Sequence, residues 1–507
     1  MLPHWRPGSY LVGGKGQCAA DFTVHAPASL ARLRARLKQA PGKVLATRLA
    51  EWTSQLTFAD LPADVVASTK LRILDVIGLS LAGSETAFGR AARAAALAMA
   101  PGGPSRLLGT GERTGAAAAA FANAACAQAL EFDDTHNESI VHMSSPAVAA
   151  ALALSETRPV TGRDAIVAVA IGNEISCRVG VVAPGQFHRR GFHPTGLFAP
   201  FGVTYLAGRL LALDPDTVAR AAGICGSCAA GLLECWVDGT QSKFLHSGFA
   251  AQSGISSALL AQAGVTGPPT VFEGRFGLFA SHLPPTVPTR LDRIVDRLGA
   301  HWESRNASFK PYPAAHVLHP YVDALLRARA QHGIAASDVE RIDCPVAEFN
   351  VSIVCEPLDE KLAPASDSHG RISLQYTLAE ALHAGRLGKN AYASQSLRHP
   401  EILALARRVR YHVDPDFPGP GRFKGAVQIT LKDGRVIADV QEHNRGSVEN
   451  PMTPAELRAK FDENAGGILS ARERDRLAGT IDGLEDVDDV STLVGLSIPG
   501  VLAGNVR

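Results

Sequence analysis

The stretch Val427-Gln428-Ile429-Thr430-Leu431-Lys432-Asp433-Gly434-Arg435-Val436-Ile437-Ala438-Asp439-Val440 decides the fold class. Val427, Ile429 and Leu431 alternate with polar residues, and an Asp-Gly pair then turns the chain back into a second run. That spacing predicts a β-hairpin, because Asp-Gly supplies the positive φ angles that a tight turn demands. The hairpin is informative because so little else in the chain looks like it.

From Ala46 to about Leu283 the pattern is helical almost throughout. Asp60-Leu61-Pro62 reads as a helix start, and Val66, Ile73, Ile77 and Leu81 continue one apolar stripe until Gly83. Further helices are expected at about 89–100, 115–131, 147–156, 163–182, 200–212, 215–233 and 249–263. After Pro284-Pro285 the texture changes. The run 339–354 is rich in β-branched residues, Val409 to Val413 reads as a short strand, and helical segments near 320–331 and 374–384 lie between. This is an α+β insert. From Pro454 the pattern is helical again through Glu456, Leu457, Lys460 and Phe461, so the tail is expected to rejoin the helical body.

Composition narrows the functional classes. Fifty Lys and Arg stand against 49 Asp and Glu in 507 residues, so charge gives no reason to expect a nucleic acid or an anionic membrane as partner. No apolar run is long enough to span a bilayer. The most apolar segment, 165–182, carries Glu174 and Arg178 and reads as a buried helix. Eight cysteines are too few for a secreted disulfide scaffold, which favours a cytoplasmic setting. Cys225 and Cys228 have the spacing of a metal or redox pair but sit among small residues without a second pair, so they read as packing cysteines. Residues 1–44 are basic, with Asp21 their one acid, and read as an extension outside the fold, with an organellar targeting signal as the alternative.

Four clusters could carry chemistry. Leu130-Glu131-Phe132-Asp133-Asp134-Thr135-His136, followed by His142, places three carboxylates at the end of an Ala-rich helix, where they oppose its dipole. A local cost without a local reason suggests a site. Gly191-Phe192-His193-Pro194 presents an imidazole on a stiff loop. Asp238 to Gly248 sets Gln241, Lys243 and His246 at another helix start, a place suited to anions. Phe309-Lys310-Pro311-Tyr312-Pro313 fixes a lysine where the helical body meets the insert. Taken singly, each also reads as a surface charge or a satisfied histidine. Neither a Ca²⁺ loop nor a Gly-rich nucleotide loop is present in the pattern.

Together and in this order, these clusters resemble the MmgE/PrpD family, which includes 2-methylcitrate dehydratases, cis-aconitate decarboxylases and iminodisuccinate epimerases. Phe132-Asp133-Asp134-Thr135 with His142, Gly191-Phe192-His193, Asp238-Gly239-Thr240 with Lys243 and His246, Lys310-Pro311-Tyr312-Pro313 and Ser373-Leu374-Gln375-Tyr376 all look like its motifs. The resemblance implies a mainly α fold: a large helical domain built from both ends of the chain (45–305 plus 448–507) with an inserted α+β lid (306–447). It also implies a homodimer, no metal and no organic cofactor. It places His142, His193, Tyr376 and Thr135 as catalytic residues around a small polycarboxylate, with Lys243, Lys310, Glu131, Gln241 and His246 as binding residues. Two positions depart from the decarboxylase-like pattern. Glu131 stands where that pattern has Asp, and Ala315 where it has a histidine, although His316 is adjacent.

The residue types agree with such chemistry. Lysines would fix the substrate's carboxylates, histidines titrating near neutrality would move a proton next to a carboxylate, and Tyr376 and Thr135 would donate to developing negative charge. The expected function is a metal-independent lyase, dehydratase-like. The alternatives are an epimerase or racemase, a cis-aconitate-type decarboxylase on the same site, or a carboxylate-binding protein without turnover.

Overall fold

The structure, a computed structural model, describes residues 42–419 and 421–500. Most of the basic extension therefore lies outside the described residues. Helices dominate, as the sequence predicts, and two hydrophobic cores organise them.

The larger core is built around helices that are apolar on every side. In Ala116–Gln128, the residues from Ala118 to Gln128 are all buried, and Ser144–Ser155 is buried along its whole length. A helix with no polar face must be central, and alanine lets its neighbours come close. The Ala63–Ser84 helix crosses it so tightly that a Cβ on Gly83 would lie 1.8 Å from the carbonyl oxygen of Cys126. Helices Gly162–Gly180, Pro194–Leu210 and Leu245–Gln262 complete the shell. Phe461, Leu477, Leu493 and Val494 from the end of the chain pack into this same core beside Leu49 and Trp52 from its beginning. The Pro454–Ala465 helix packs on Ala63–Ser84 and starts with a Thr453/Glu456 capping box.

The second core, between Tyr312 and Leu431, belongs to the insert. Its sheet has four strands in the spatial order Val409–Val413, Val339–Val346, Gly425–Leu431, Val436–Gln441. The first pair is parallel and the others are antiparallel. The hairpin is present, with Thr430 opposite Val436; its loop takes in Lys432, Asp433 and Gly434, and Gly434 alone of these adopts a positive φ, 87°. Helices His319–His332 and Leu374–Ala384 pack with this sheet.

Three expectations are corrected. The β-branched run does not stay extended to Val354: the strand ends at Val346, and Val351–Cys355 coils into a π-helical turn that buries Ile353, Val354 and Cys355 in the second core. Tertiary burial outweighs β propensity there. Pro200 does not start a helix but lies inside Pro194–Leu210, where Pro194 occupies the first turn. The carbonyl of Gly196, deprived of a donor by Pro200, accepts instead from the Ala230 amide at 3.2 Å. Finally, the helix expected over 215–233 stops at Cys225, in a stretch broken by Gly226 and Gly231. Cys225 is buried and Cys228 exposed, as unpaired thiols.

Gly83→Ala should act as an overpacking mutation between the Ala63–Ser84 and Ala116–Gln128 helices. We expect a loss of about 1–3 kcal/mol, seen as a lower melting temperature; an unchanged melt would contradict the close crossing.

Candidate active site

The Ala116–Gln128 helix ends three residues before Glu131, which takes a left-handed conformation at φ 52°. The segment that follows is fully buried, carboxylates included. Its tolerance of burial is explained by cations arriving from distant parts of the chain. Arg371 donates to the carbonyl of Leu130 at 2.9 Å, Lys310 to that of Glu131 at 3.1 Å, and Lys460 to that of Phe132 at 2.9 Å. Three successive carbonyls at the negative end of a helix are thus each capped by a charged donor. Arg72 pairs with Asp134, whose carboxylate also accepts from Ser144 Oγ at 2.5 Å.

Glu131 is the centre of the site. Its carboxylate takes Lys243 on one oxygen and Lys310, at 3.1 Å, on the other. Burial alone would raise its pKa, but Lys243 and Lys310 outweigh burial and hold it well below the usual carboxylate range. Lys310, completely buried, is itself pushed down by desolvation, partly offset by Glu131 and Asp133.

His142 lies on the other side of Glu131, its Nε2 3.8 Å from Glu131 Oε1. Its Nδ1 is 2.9 Å from the carbonyl of Asp134, 3.2 Å from Thr135 Oγ1 and 3.4 Å from Asp133 Oδ1. A carbonyl can only accept, so Nδ1 carries the proton and the Nε2 lone pair is on the side of Glu131. Burial, then Lys310 and Lys243, hold the His142 pKa well below the free imidazole value. The backbone amide of His142 donates to Thr195 Oγ1 at 3.0 Å, which ties this loop to the start of the Pro194–Leu210 helix. Asp133 shows the opposite shift: burial, with Glu131 and Asp134 beside it, raises its carboxyl to about 7. Ser145 Oγ donates to its other oxygen at 2.9 Å.

His193 caps the N-terminus of the Pro194–Leu210 helix, and its ring stands 5.6 Å from that of His142. Its Nδ1 shares a hydrogen bond of 2.9 Å with His246 Nδ1, while its Nε2 is buried without a hydrogen-bond partner among the described residues. Burial, followed by His246 and Lys243, keeps His193 well below 6.5, and His246 is lowered to about 4 by burial and Lys243. Lys243 and His246 come from a 3₁₀ turn and the helix it opens, Leu245–Gln262, which packs against Ala116–Gln128.

Seven of the residues singled out from sequence therefore meet here: Glu131, Thr135, His142, His193, Lys243, His246 and Lys310. Two do not. Tyr376 is buried in the second core, where its hydroxyl meets Glu380 Oε2 at 3.3 Å and its ring stands 6.0 Å from that of Tyr392. Gln241 lies exposed on the 3₁₀ turn before Lys243. No hydrogen bond or ion pair joins either to the cluster among the described residues.

The structure also brings in residues to which the sequence reading gave no role. His316 and His319 follow the Lys310 motif, their rings 4.8 Å apart, and His316 Nε2 bonds the Asn444 side chain at 2.9 Å. Burial, then His319, Lys310 and His142, keep His316 well below 6.5, so it feels the same field. Two histidines three apart at a helix start were the available signal. Arg72, Arg371 and Lys460 offered none, since each is an isolated cation in an ordinary-looking segment. Ala315 is buried and donates its amide to the Arg371 carbonyl at 2.8 Å.

Comparison with known proteins relates both parts of the chain to one family. A family model for the MmgE/PrpD N-terminal domain matches residues 47–290, and one for the MmgE/PrpD C-terminal domain matches residues 312–486. A cis-aconitate decarboxylase of Aspergillus terreus is 27% identical over 469 residues, 89% of this chain and 95% of that protein. A cis-aconitate decarboxylase-like protein, oryM, of Aspergillus oryzae is 27% identical over 88% of this chain and 96% of its own length. The Homo sapiens cis-aconitate decarboxylase is 28% identical over 75% of this chain and 78% of its own.

The buried Arg72–Asp134 pair yields a stability prediction. Asp134→Ala strands a guanidinium in the core and should cost about 3–5 kcal/mol, read as a large drop in the urea midpoint. Asp486→Ala, which removes the solvent-exposed partner of Arg163 at 3.9 Å, should leave the midpoint where it was. Equal effects from the two would refute the assignment.

Proposed function

Because this chain belongs to the MmgE/PrpD family, we propose that it is a lyase acting on a small di- or tricarboxylate, with loss of carbon dioxide as the leading reaction. One observation carries the proposal: Lys243, Lys310 and the Nε2 of His142 gather around one buried carboxylate, that of Glu131. Decarboxylation is put first because the relatives that align over nearly their whole length are named for it.

The chemistry runs on the chain's own residues. A lysine ammonium holds a carboxylate that the product keeps. When the bond to the departing carboxylate breaks, its electron pair forms a new carbon–carbon double bond. The former π pair moves to the carbon beside the retained carboxylate, where the lysine charge stabilises it. That carbon then takes a proton, so one proton is consumed for each carbon dioxide released. His142 Nε2, protonated when the substrate's carboxylates bind, would deliver it, and the Asp133 carboxyl, 3.4 Å from His142 Nδ1, would steady the imidazolium from the other side. Thr135, bonded to the same nitrogen, helps to hold the ring.

Dehydration is the second reading, favoured by the unprotonated state of His142. A free lone pair suits removal of a proton next to a carboxylate, with hydroxide leaving from the adjacent carbon. Proton NMR in D₂O separates the outcomes. Decarboxylation puts one deuterium on a product carbon and releases carbon dioxide; dehydration gives a vinyl signal without carbon dioxide. Deuterium entering the substrate without net reaction would mean epimerisation instead.

His142→Ala should lower kcat/KM by about 10²–10⁴ while the circular dichroism spectrum is kept, and undiminished turnover would remove His142 from the chemistry. A pH dependence follows from the same field. His142 and Lys310 are held below their ordinary values, and Asp133 titrates near 7. A bound carboxylate raises all three, so binding takes up protons and affinity should rise as pH falls from about 8 to 6. Calorimetry in buffers of different ionisation enthalpy measures this uptake; proton release would contradict it.

A further inference from the structure

We infer that His383, His399 and Glu401 form a binding site for a divalent cation of the zinc type, a clip within the insert that is separate from the Glu131 cluster and independent of the lyase reading above.

The three side chains come from two neighbouring helix ends. His383 lies in the last turn of the Leu374–Ala384 helix, His399 immediately precedes the Pro400–Ala406 helix, and Glu401 sits in the first turn of the latter. One ligand atom from each lies within 4.8 Å of the other two. The two imidazole rings stand 4.8 Å apart at 48°, and His383 Nδ1 is 3.5 Å from Glu401 Oε2. Around a tetrahedral zinc ion, with bonds of about 2.0–2.2 Å, neighbouring ligand atoms are about 3.3–3.5 Å apart. The His383–Glu401 separation already matches that spacing. Side-chain rotation closes the rest, and Glu401 is free to rotate because its side chain is 72% exposed. Two imidazoles and one carboxylate are a donor set that zinc accepts, with water in the fourth position.

Contacts within the protein do not account for this grouping. At 3.5 Å the His383–Glu401 contact is longer than a sound hydrogen bond. Neither imidazole makes a side-chain hydrogen bond among the described residues, and His399 Nδ1 is closed off from solvent as well. Each neutral ring therefore keeps a lone pair uncommitted. Two adjacent imidazoles cannot both take up a proton cheaply. A single cation can use a lone pair from each, and the carboxylate offsets part of its charge.

The site would tie together the two ends of the segment 384–398. Through that segment the insert reaches the returning tail: Arg386 pairs with Glu463 at 3.0 Å, and the Lys389 amide donates to the same carboxylate at 3.3 Å. Tyr392, in the middle of the segment, carries Arg371 over its ring. A bound ion would brace the loop by which the insert leans on the Pro454–Ala465 helix.

The test is a calorimetric titration of the metal-free full chain, carrying no affinity tag, with zinc chloride, paired with a thermal melt. One zinc ion per chain should bind at this site and raise the melting temperature. His383→Ala and His399→Ala should each weaken that binding at least about tenfold, since changes merely beside a metal ligand already cost as much. His332→Ala, at an exposed histidine elsewhere in the insert, should leave it unchanged. Should either alanine variant fold poorly, Glu401→Gln alters an exposed position and should weaken binding in the same direction. Absence of zinc binding, or binding that no site variant weakens more than His332→Ala does, overturns the inference and leaves the reading of the Glu131 cluster untouched.

Discussion

The five residues from Leu130 to Asp134 could not be buried without the cations that meet them. Arg72, Lys243, Lys310, Arg371 and Lys460 come from the first long helix, the 3₁₀ turn before Leu245, the seam, the insert and the tail. Almost every major part of the chain sends one charge to one short segment. Each of those charges would be costly to bury alone. The segment and its cations are consequently compatible only when the helical body, the insert and the returning tail are all in place. The discontinuous layout of the chain and the chemistry of its site are thus two consequences of the same requirement.

Such a network contributes little net stability, because desolvation of paired ions consumes most of what their attraction returns. Stability has to come from elsewhere, and the alanine-rich core supplies it. Helices such as Ala116–Gln128 and Ser144–Ser155 bury apolar surface on all sides, and small side chains keep the crossings close enough for dispersion to act across them. What the ion network supplies is uniqueness. A helix end studded with Glu131, Asp133 and Asp134 has one surrounding that tolerates it, and that surrounding fixes where Lys243, Lys310 and His142 stand.

The parts of this molecule that were legible in its sequence are those encoded locally. Helix periodicity and the Asp433-Gly434 turn are short-range signals, and the elements they predict are present. The misplaced boundaries at Val346, Pro200 and Cys225 arise where a tertiary contact overrides a local preference, such as the Ala230 amide supplying the bond that Pro200 cannot. The site divides in the same way. Acids at a helix end, a histidine between Gly and Pro, and a lysine between prolines each look unusual in their own surroundings. Arg72, Arg371 and Lys460 do not, because their role appears only when the fold carries them to a segment hundreds of residues away. Tyr376 illustrates the converse: its motif is conspicuous, yet its hydroxyl meets Glu380 and not the cluster.

The protonation pattern ties these features to chemistry. Burial and the lysines hold His142 neutral, burial and His246 hold His193 neutral, and Asp133 is pushed the other way, to about 7. Groups whose pKa values are driven apart within a few ångströms are the arrangement from which acid and base roles are drawn. The direction matters as much as the size. A site that is cationic and proton-poor when empty becomes less cationic once an anion enters, and every shift that follows favours taking up a proton. The proton would thus arrive because the substrate has arrived, and His142, with its Nδ1 fixed by the Asp134 carbonyl, can accept it only at Nε2, the atom 3.8 Å from Glu131 Oε1. Glu131 sets the scale of this response, since it determines how much positive charge is left for the incoming acid to neutralise.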